Sequence, residues 1–200
     1  IHHNYPSQDY DDLMSGVDAV IAKTGVDTTN LYVTGGSGGG VLTAWIVGHT
    51  DRFRAAVVAK PVINWYSFVL TSDFYPFFTD YWFAGLPWEK PEEYLRRSPI
   101  SYVGKVTTPT MLITGENDYR TPISEAEQFY QALKLRRIET ALVRIPGAEN
   151  ERRGTGGLKA PHPRRGGHPP GVVVLAEAAP VGADVAGVAH RDRQDVRRPA

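Results

Sequence analysis

The sequence predicts an α/β fold, a mostly parallel sheet with helices on both faces, followed by an irregular C-terminal tail. Three observations carry that expectation. Short, continuous apolar runs alternate with segments of helical period, the pattern of strands buried on both faces. The first such run feeds directly into a serine set among glycines, Gly35-Gly36-Ser37-Gly38-Gly39. Finally, all 10 Tyr, 7 Phe and 4 Trp lie between Tyr5 and Tyr130, whereas residues 151–200 carry none and hold 8 Gly and 6 Pro. An ordinary packed core therefore belongs to the first part of the chain.

The elements follow in order. Asp9 to Lys23 reads as a helix: Asp11 and Asp12 suit its N-terminal end, Leu13, Val17, Val20 and Ile21 recur at helical spacing, and Gly25 stops it. Leu31 to Val33 is a short buried strand, Gly38 to Val47 the helix behind it, and Ala55 to Ala59 a second strand bounded by Arg54 and Pro61. Residues 61–98 are crowded with aromatics and broken by Pro76, Pro87 and Pro91, which predicts an irregular segment lying over a site. Thr110 to Thr114 is a third strand, Ser124 to Leu135 a helix, and Thr140 to Ile145 a fourth strand. No internal repeat is visible.

Composition excludes several classes. In a chain of 200 residues with 42% hydrophobic content, 22 Lys and Arg are balanced by 22 Asp and Glu, which leaves no strong field for nucleic acid or an anionic membrane. The tail's arginines are scattered among Gly and Pro without aromatic partners and read as solvated. The absence of cysteine rules out disulfides and leaves the compartment open. No apolar run reaches the ~18 residues of a membrane span. Ile1 is not a natural start, so an upstream segment is expected. His2 and His3 are adjacent without a second ligand pair and read as surface residues, so no metal and no organic cofactor are expected.

The glycine-flanked serine carries the chemistry. Gly-x-Ser-x-Gly after a strand is the pattern of a nucleophile elbow, a strained strand-to-helix turn where neighbouring side chains would clash and the hydroxyl stands exposed. A dinucleotide fingerprint needs glycines at first, third and sixth positions, which no register of residues 35–43 supplies. A phosphate-binding loop needs Lys and Ser or Thr after its last glycine, where this chain has Val41-Leu42. A serine nucleophile requires a base and a group to orient that base. Asp118, in Gly115-Glu116-Asn117-Asp118-Tyr119-Arg120-Thr121-Pro122, follows directly on the third strand, so it is expected on the same carboxyl edge of the sheet as Ser37.

With these motifs the chain resembles the catalytic domain of the prolyl oligopeptidase family of serine peptidases, an α/β-hydrolase fold, in its dipeptidyl- and acylaminoacyl-peptidase-like branch. The matching stretches are Tyr10-Asp11-Asp12-Leu13, Gly35 to Gly40, Ala59-Lys60-Pro61-Val62-Ile63-Asn64-Trp65, Arg97-Ser98-Pro99, Gly115-x-x-Asp118-x-Arg120-x-Pro122 and Arg144-Ile145-Pro146-Gly147-Ala148, so the resemblance covers residues 1–148. It implies a peptide or small acyl substrate, Ser37 as nucleophile, Asp118 as the acid of the triad, the Gly38 N–H as one oxyanion donor and Arg120 as a ligand for a substrate carbonyl. Trp65 and Tyr66, with Trp82, are expected to line an apolar pocket or to belong to the core. The second oxyanion donor and a propeller-like N-terminal domain are expected upstream of Ile1. An esterase or lipase on the same fold and a non-catalytic binding domain are the alternatives.

The chain departs from the family in two places. The catalytic histidine is expected in the form Pro-Gly-Ala-x-His, and that position holds Asn150, which cannot relay a proton near neutral pH. Beyond it the family continues into an amphipathic helix, whereas this chain runs into Gly, Pro and Arg. Read one nucleotide out of register, codons for residues 160–176 can encode an apolar segment similar to that helix. Residues 149–200 are therefore expected to be an out-of-frame translation, with His162, His168 and His190 accidents of frame.

Overall fold

A computed structural model describes residues 3–150 together with 172–175. The chain opens with helix α1 (Gln8–Thr24), followed by strand β1 (Leu31–Gly36), helix α2 (Gly38–Val47) and strand β2 (Ala55–Ala59). Three short helices come next, α3 (Trp65–Thr71), α4 (Tyr75–Tyr81) and α5 (Pro91–Arg96), and then a 3₁₀ turn over Pro99–Lys105. Strand β3 (Thr110–Gly115), helix α6 (Ile123–Leu135) and strand β4 (Thr140–Ile145) complete the region, with a further strand β5 (Val172–Leu175). The sheet order is β4-β3-β2-β1-β5, and every pairing is parallel.

Strands buried in a parallel sheet read as near-continuous apolar runs, and β2 and β3 supply them, whereas edge strand β4 alternates half-buried and exposed positions. Leu31, Val33, Ala56, Val58 and Leu112 are buried in one cluster with Met14 and Val17 of α1 and Phe129 and Leu133 of α6. Helix α2 is buried from Gly39 to Val47. Each large apolar side chain so enclosed contributes about 1.5–3 kcal/mol. Gly40 is required by this packing, because a Cβ there would stand 2.5 Å from the carbonyl oxygen of Ala59, where α2 crosses the end of β2.

A second cluster joins Tyr5, Val41, Leu42, Val62, Trp65, Phe68, Val69, Phe83 and Tyr94. At its centre the buried guanidinium of Arg97 lies 4.2 Å from the Phe83 ring centroid and donates to the carbonyls of Tyr5 (2.7 Å) and Trp82 (2.5 Å) and to Glu93 (3.1 Å).

Two expectations are corrected. The segment 61–98 is not irregular: it holds three helices, because Asn64 caps α3 by accepting from Tyr66 N–H and Pro76 and Pro91 occupy first turns, where the missing N–H costs nothing. The tail was expected to be irregular throughout, yet Val172–Leu175 pairs with β1 from Leu31↔Val172 to Thr34↔Leu175. Absence of aromatics limits a core, but a run of β-branched valines needs only an open sheet edge to become a strand. The remaining tail positions, His162, His168 and His190 among them, lie outside the described residues, as does His2.

Candidate active site

Because β1 to β4 are parallel, their carboxyl ends open on one edge of the sheet, the usual place for ligands in such folds. Ser37 stands at the end of β1 with φ 56° and ψ −118°, a left-handed conformation that costs a non-glycine residue roughly 1–3 kcal/mol. Its N–H donates to Ala59 O (3.1 Å) and its carbonyl accepts from Val41 N–H (3.1 Å), so β2 and α2 together hold the turn. The Gly38 carbonyl accepts a 2.5 Å bond from the hydroxyl of Tyr5. Burial pushes that phenol well above its usual pKa, so it stays a donor.

Asp118 follows the end of β3 and is 3% exposed. One carboxylate oxygen accepts from Thr121 N–H (2.7 Å), the other from the Thr121 hydroxyl (2.9 Å). The Asn150 side-chain amide reaches both oxygens, at 3.2 and 2.9 Å, as well as Thr121 Oγ1 at 2.9 Å. Position 150 thus faces the carboxylate directly. Its loop is brought there by a close approach at Gly115, where a Cβ would meet Ala148 O at 2.2 Å, and by Asn117 N–H donating to that same carbonyl (3.0 Å). Lys60, at the end of β2, donates its ammonium to Asn150 O at 2.6 Å.

Arg120 lies beyond Asp118 on the same loop. Its Nε donates to Asp73 Oδ1 at 2.7 Å and its guanidinium lies 4.5 Å from the Phe74 ring centroid. Tyr66 is half-buried and meets Tyr94 edge-on at 6.3 Å. Trp65 does not line an open pocket: at 1% exposure it is enclosed by Tyr5, Phe68, Phe78, Trp82 and Phe83, since α3 turns its apolar face inward. Among the described residues no group of three His, Cys, Asp or Glu could hold a metal ion, and no helix is long and apolar enough to cross a membrane.

Three side chains at this edge carried no mark in the sequence reading. Lys60 lay unremarked within a matching stretch. Asp73 is an acid amid aromatics, and that contrast was its one available signal. Glu125 is fully buried in α6 and accepts from the N–H groups of Ile63 (2.9 Å) and Asn64 (2.8 Å) and from the Ser67 hydroxyl (2.6 Å), locking α6 to the start of α3. A glutamate in a first helical turn looks ordinary in sequence. Burial raises its pKa, against the lowering effect of the bonds from Ser67, Asn64, Ile63 and Gln128.

A serine on a left-handed turn between a parallel strand and a buried helix, with a buried aspartate after another strand of the same sheet, defines an α/β-hydrolase fold. The profile of the prolyl oligopeptidase family matches residues 1–154, and the chain belongs to that family of serine peptidases. It is 43% identical over 166 residues to the uncharacterized peptidase YuxL of Bacillus subtilis, covering 82% of this chain and 24% of that protein. The acylamino-acid-releasing enzyme of Arabidopsis thaliana is 36% identical over 148 residues, 70% of this chain and 19% of that enzyme. Among solved structures, an acylaminoacyl peptidase of Pyrococcus horikoshii superposes with a TM-score of 0.72 at 25% identity, covering 74% of this chain and 24% of that one. The chain therefore spans about a quarter of the length of its relatives. Strand β5 lies beyond the family match.

Proposed function

We propose that this chain carries the nucleophile and the acid of a serine peptidase that cleaves short peptides through an acyl-enzyme, and that as it stands it is inactive. Ser37 is the nucleophile, Asp118 the acid, the Gly38 N–H an oxyanion donor and Arg120 the ligand of a substrate carbonyl; Tyr66 remains the candidate wall of the apolar pocket. With a histidine at position 150, the imidazole takes the Ser37 proton as the hydroxyl oxygen attacks the scissile carbonyl, then returns it to the leaving amine. Water hydrolyses the acyl-enzyme by the same steps. The observation that carries this reading is the contact between position 150 and both oxygens of buried Asp118, on the sheet edge that also holds the left-handed Ser37.

Asn150 itself favours a second reading. Its amide bonds the acid but offers no site that accepts and releases a proton, so the chain as given suits a folded binding domain. Residues 1–148 are then the partial catalytic domain and 149–200 the out-of-frame segment, a propeller-like domain and the second oxyanion donor belonging to the intact protein. The coding nucleotides test the frame: a stop codon in the alternative frame between residues 158 and 178 overturns it. Restoring the frame, the upstream strands and Asn150→His together should yield hydrolysis of short amide substrates that Ser37→Ala abolishes. Hydrolysis of esters alone points to an esterase, and activity that survives Ser37→Ala overturns the reading.

A further inference from the structure

The link between α3 and α4 is fastened to the loop that bears Asp118. Ser72 Oγ donates to Arg120 O at 2.9 Å, Asp73 N–H donates to Tyr119 O at 2.9 Å, and Arg120 Nε donates to Asp73 Oδ1 at 2.7 Å. Phe74 lies under the guanidinium at 4.5 Å. These contacts fix the plane of the arginine and consume its Nε edge. Among the described residues the two Nη groups donate to nothing, and the side chain keeps 37% of its exposure. What a ligand meets is therefore a planar fork of N–H donors whose positive charge is offset by a carboxylate on the far edge.

That arrangement has a chemical consequence for selectivity. A bare guanidinium prefers a carboxylate, because a charge-assisted bidentate pair is the strongest hydrogen-bonded match it makes. A neutral carbonyl gains the hydrogen bond without the net charge, so it loses little when the charge is offset. An anionic ligand at the Nη edge feels both the guanidinium and Asp73. We propose that Asp73 is a specificity-determining residue that adapts Arg120 to the neutral carbonyl of a peptide and disfavours a free carboxylate. This rests on the reading of Arg120 as a substrate ligand given above.

The magnitude follows from Coulomb's law. A carboxylate ligand about 5 Å from the Asp73 charge is repelled, in a water-like dielectric, enough to lower its affinity on the order of fourfold. The effect is largest at low salt, since the Asp73 side chain is 48% exposed.

Binding tests this on the chain as it stands, with no turnover needed. N-acetyl-Gly-Phe-amide and N-acetyl-Gly-Phe with its free carboxylate are titrated at low ionic strength, followed by calorimetry or by shifts in the amide NMR spectrum. Asp73→Asn should raise the affinity of the carboxylate peptide about fourfold and leave that of the amide within about twofold. Asp73→Glu should behave as the unaltered chain, and Arg120→Met should weaken both peptides. If Arg120→Met weakens both while Asp73→Asn leaves their ratio unchanged, the role of Asp73 is overturned and that of Arg120 stands. If Arg120→Met changes neither, or if neither peptide binds the unaltered chain, the reading of Arg120 falls and the inference falls with it.

Discussion

Asn150 donates its side-chain amide to both carboxylate oxygens of Asp118, at 3.2 and 2.9 Å. With the two bonds from Thr121, the buried carboxylate is fully engaged without any group that can move a proton. Every hydrogen bond it accepts among the described residues comes from an amide or a threonine hydroxyl, neither of which is a general base near neutral pH. This separation between a satisfied buried charge and a working relay governs what substitutions at this edge should do.

Asn150→His alone should not give measurable amide hydrolysis. Loss of the base in a serine protease costs on the order of 10⁶ in kcat, and a missing oxyanion donor costs a further ~10²–10³ where the effects are independent. On the reading proposed above, in which the second oxyanion donor belongs to the intact protein, the substitution addresses only the base. Steady-state assays on short amide substrates check this, and turnover by the single variant that disappears with Ser37→Ala would refute it.

Gly40→Ala should destabilise the fold by about 1–3 kcal/mol, the usual cost of overpacking a tight contact. The added methyl would stand 2.5 Å from Ala59 O, the same oxygen that accepts the Ser37 N–H, so the turn must shift as α2 moves outward. Urea denaturation measures the loss, and a change within error of zero would mean that the helix yields freely.

Arg97→Ala should be more severe, about 3–5 kcal/mol, because it empties the fully buried site of the largest polar side chain in this cluster and leaves its acceptors unpaired. The carbonyls of Tyr5 and Trp82 lose the guanidinium donor, and partly exposed Glu93 loses its ion pair. Arg97→Met, which keeps volume over Phe83 without the charge, should recover part of the loss. Equal destabilisation by both variants would show that the hydrogen bonds, not the packing, dominate.

Glu125→Gln should change the pH dependence of stability. Burial raises the folded-state pKa of Glu125, so the fold favours the protonated form. The stability linked to that preference is fully present below the unfolded value and is lost as pH rises through the folded value. Thermal melts across the acid range should show the unaltered chain losing stability relative to Glu125→Gln as pH rises, with the difference levelling off above the folded pKa. A difference that runs the other way would mean that the four hydrogen bonds outweigh desolvation.

The sheet was legible because apolar runs such as Ala55–Ala59 and Thr140–Ile145 match the observed strands residue for residue. Helix α2 was equally plain, since its glycines and apolar residues leave no polar face. The prolines of residues 61–98 misled, because a proline that would break a helix interior is welcome at its first turn, and α4 and α5, which carry Pro76 and Pro91 in their first turns, follow Phe74 and Lys90, neither of which supplies a side-chain cap that would mark a helix start. Trp65 could be core or pocket wall in sequence, and its place depended on contacts with Tyr5 and Phe83, which lie far from it along the chain. The Asp73–Arg120 pair spans 47 positions, so no local pattern records it.

Placement along the site edge is set by the ladder itself. Gly36 pairs with Ala59, Ala59 with Ile113, and Gly115 with Ile145, so the ends of four strands are brought into step by main-chain bonds that any residue except proline can make. Adjacent strands lie about 4.8 Å apart, and a slip of one residue would displace a strand end by about 3.3 Å. Those bonds hold the register together with the buried apolar pattern, because the same slip would turn every core side chain of a strand to the opposite face. Position 150 lies beyond β4, outside the paired register, so a substitution there can alter the chemistry proposed for this edge while the strand ends keep their places.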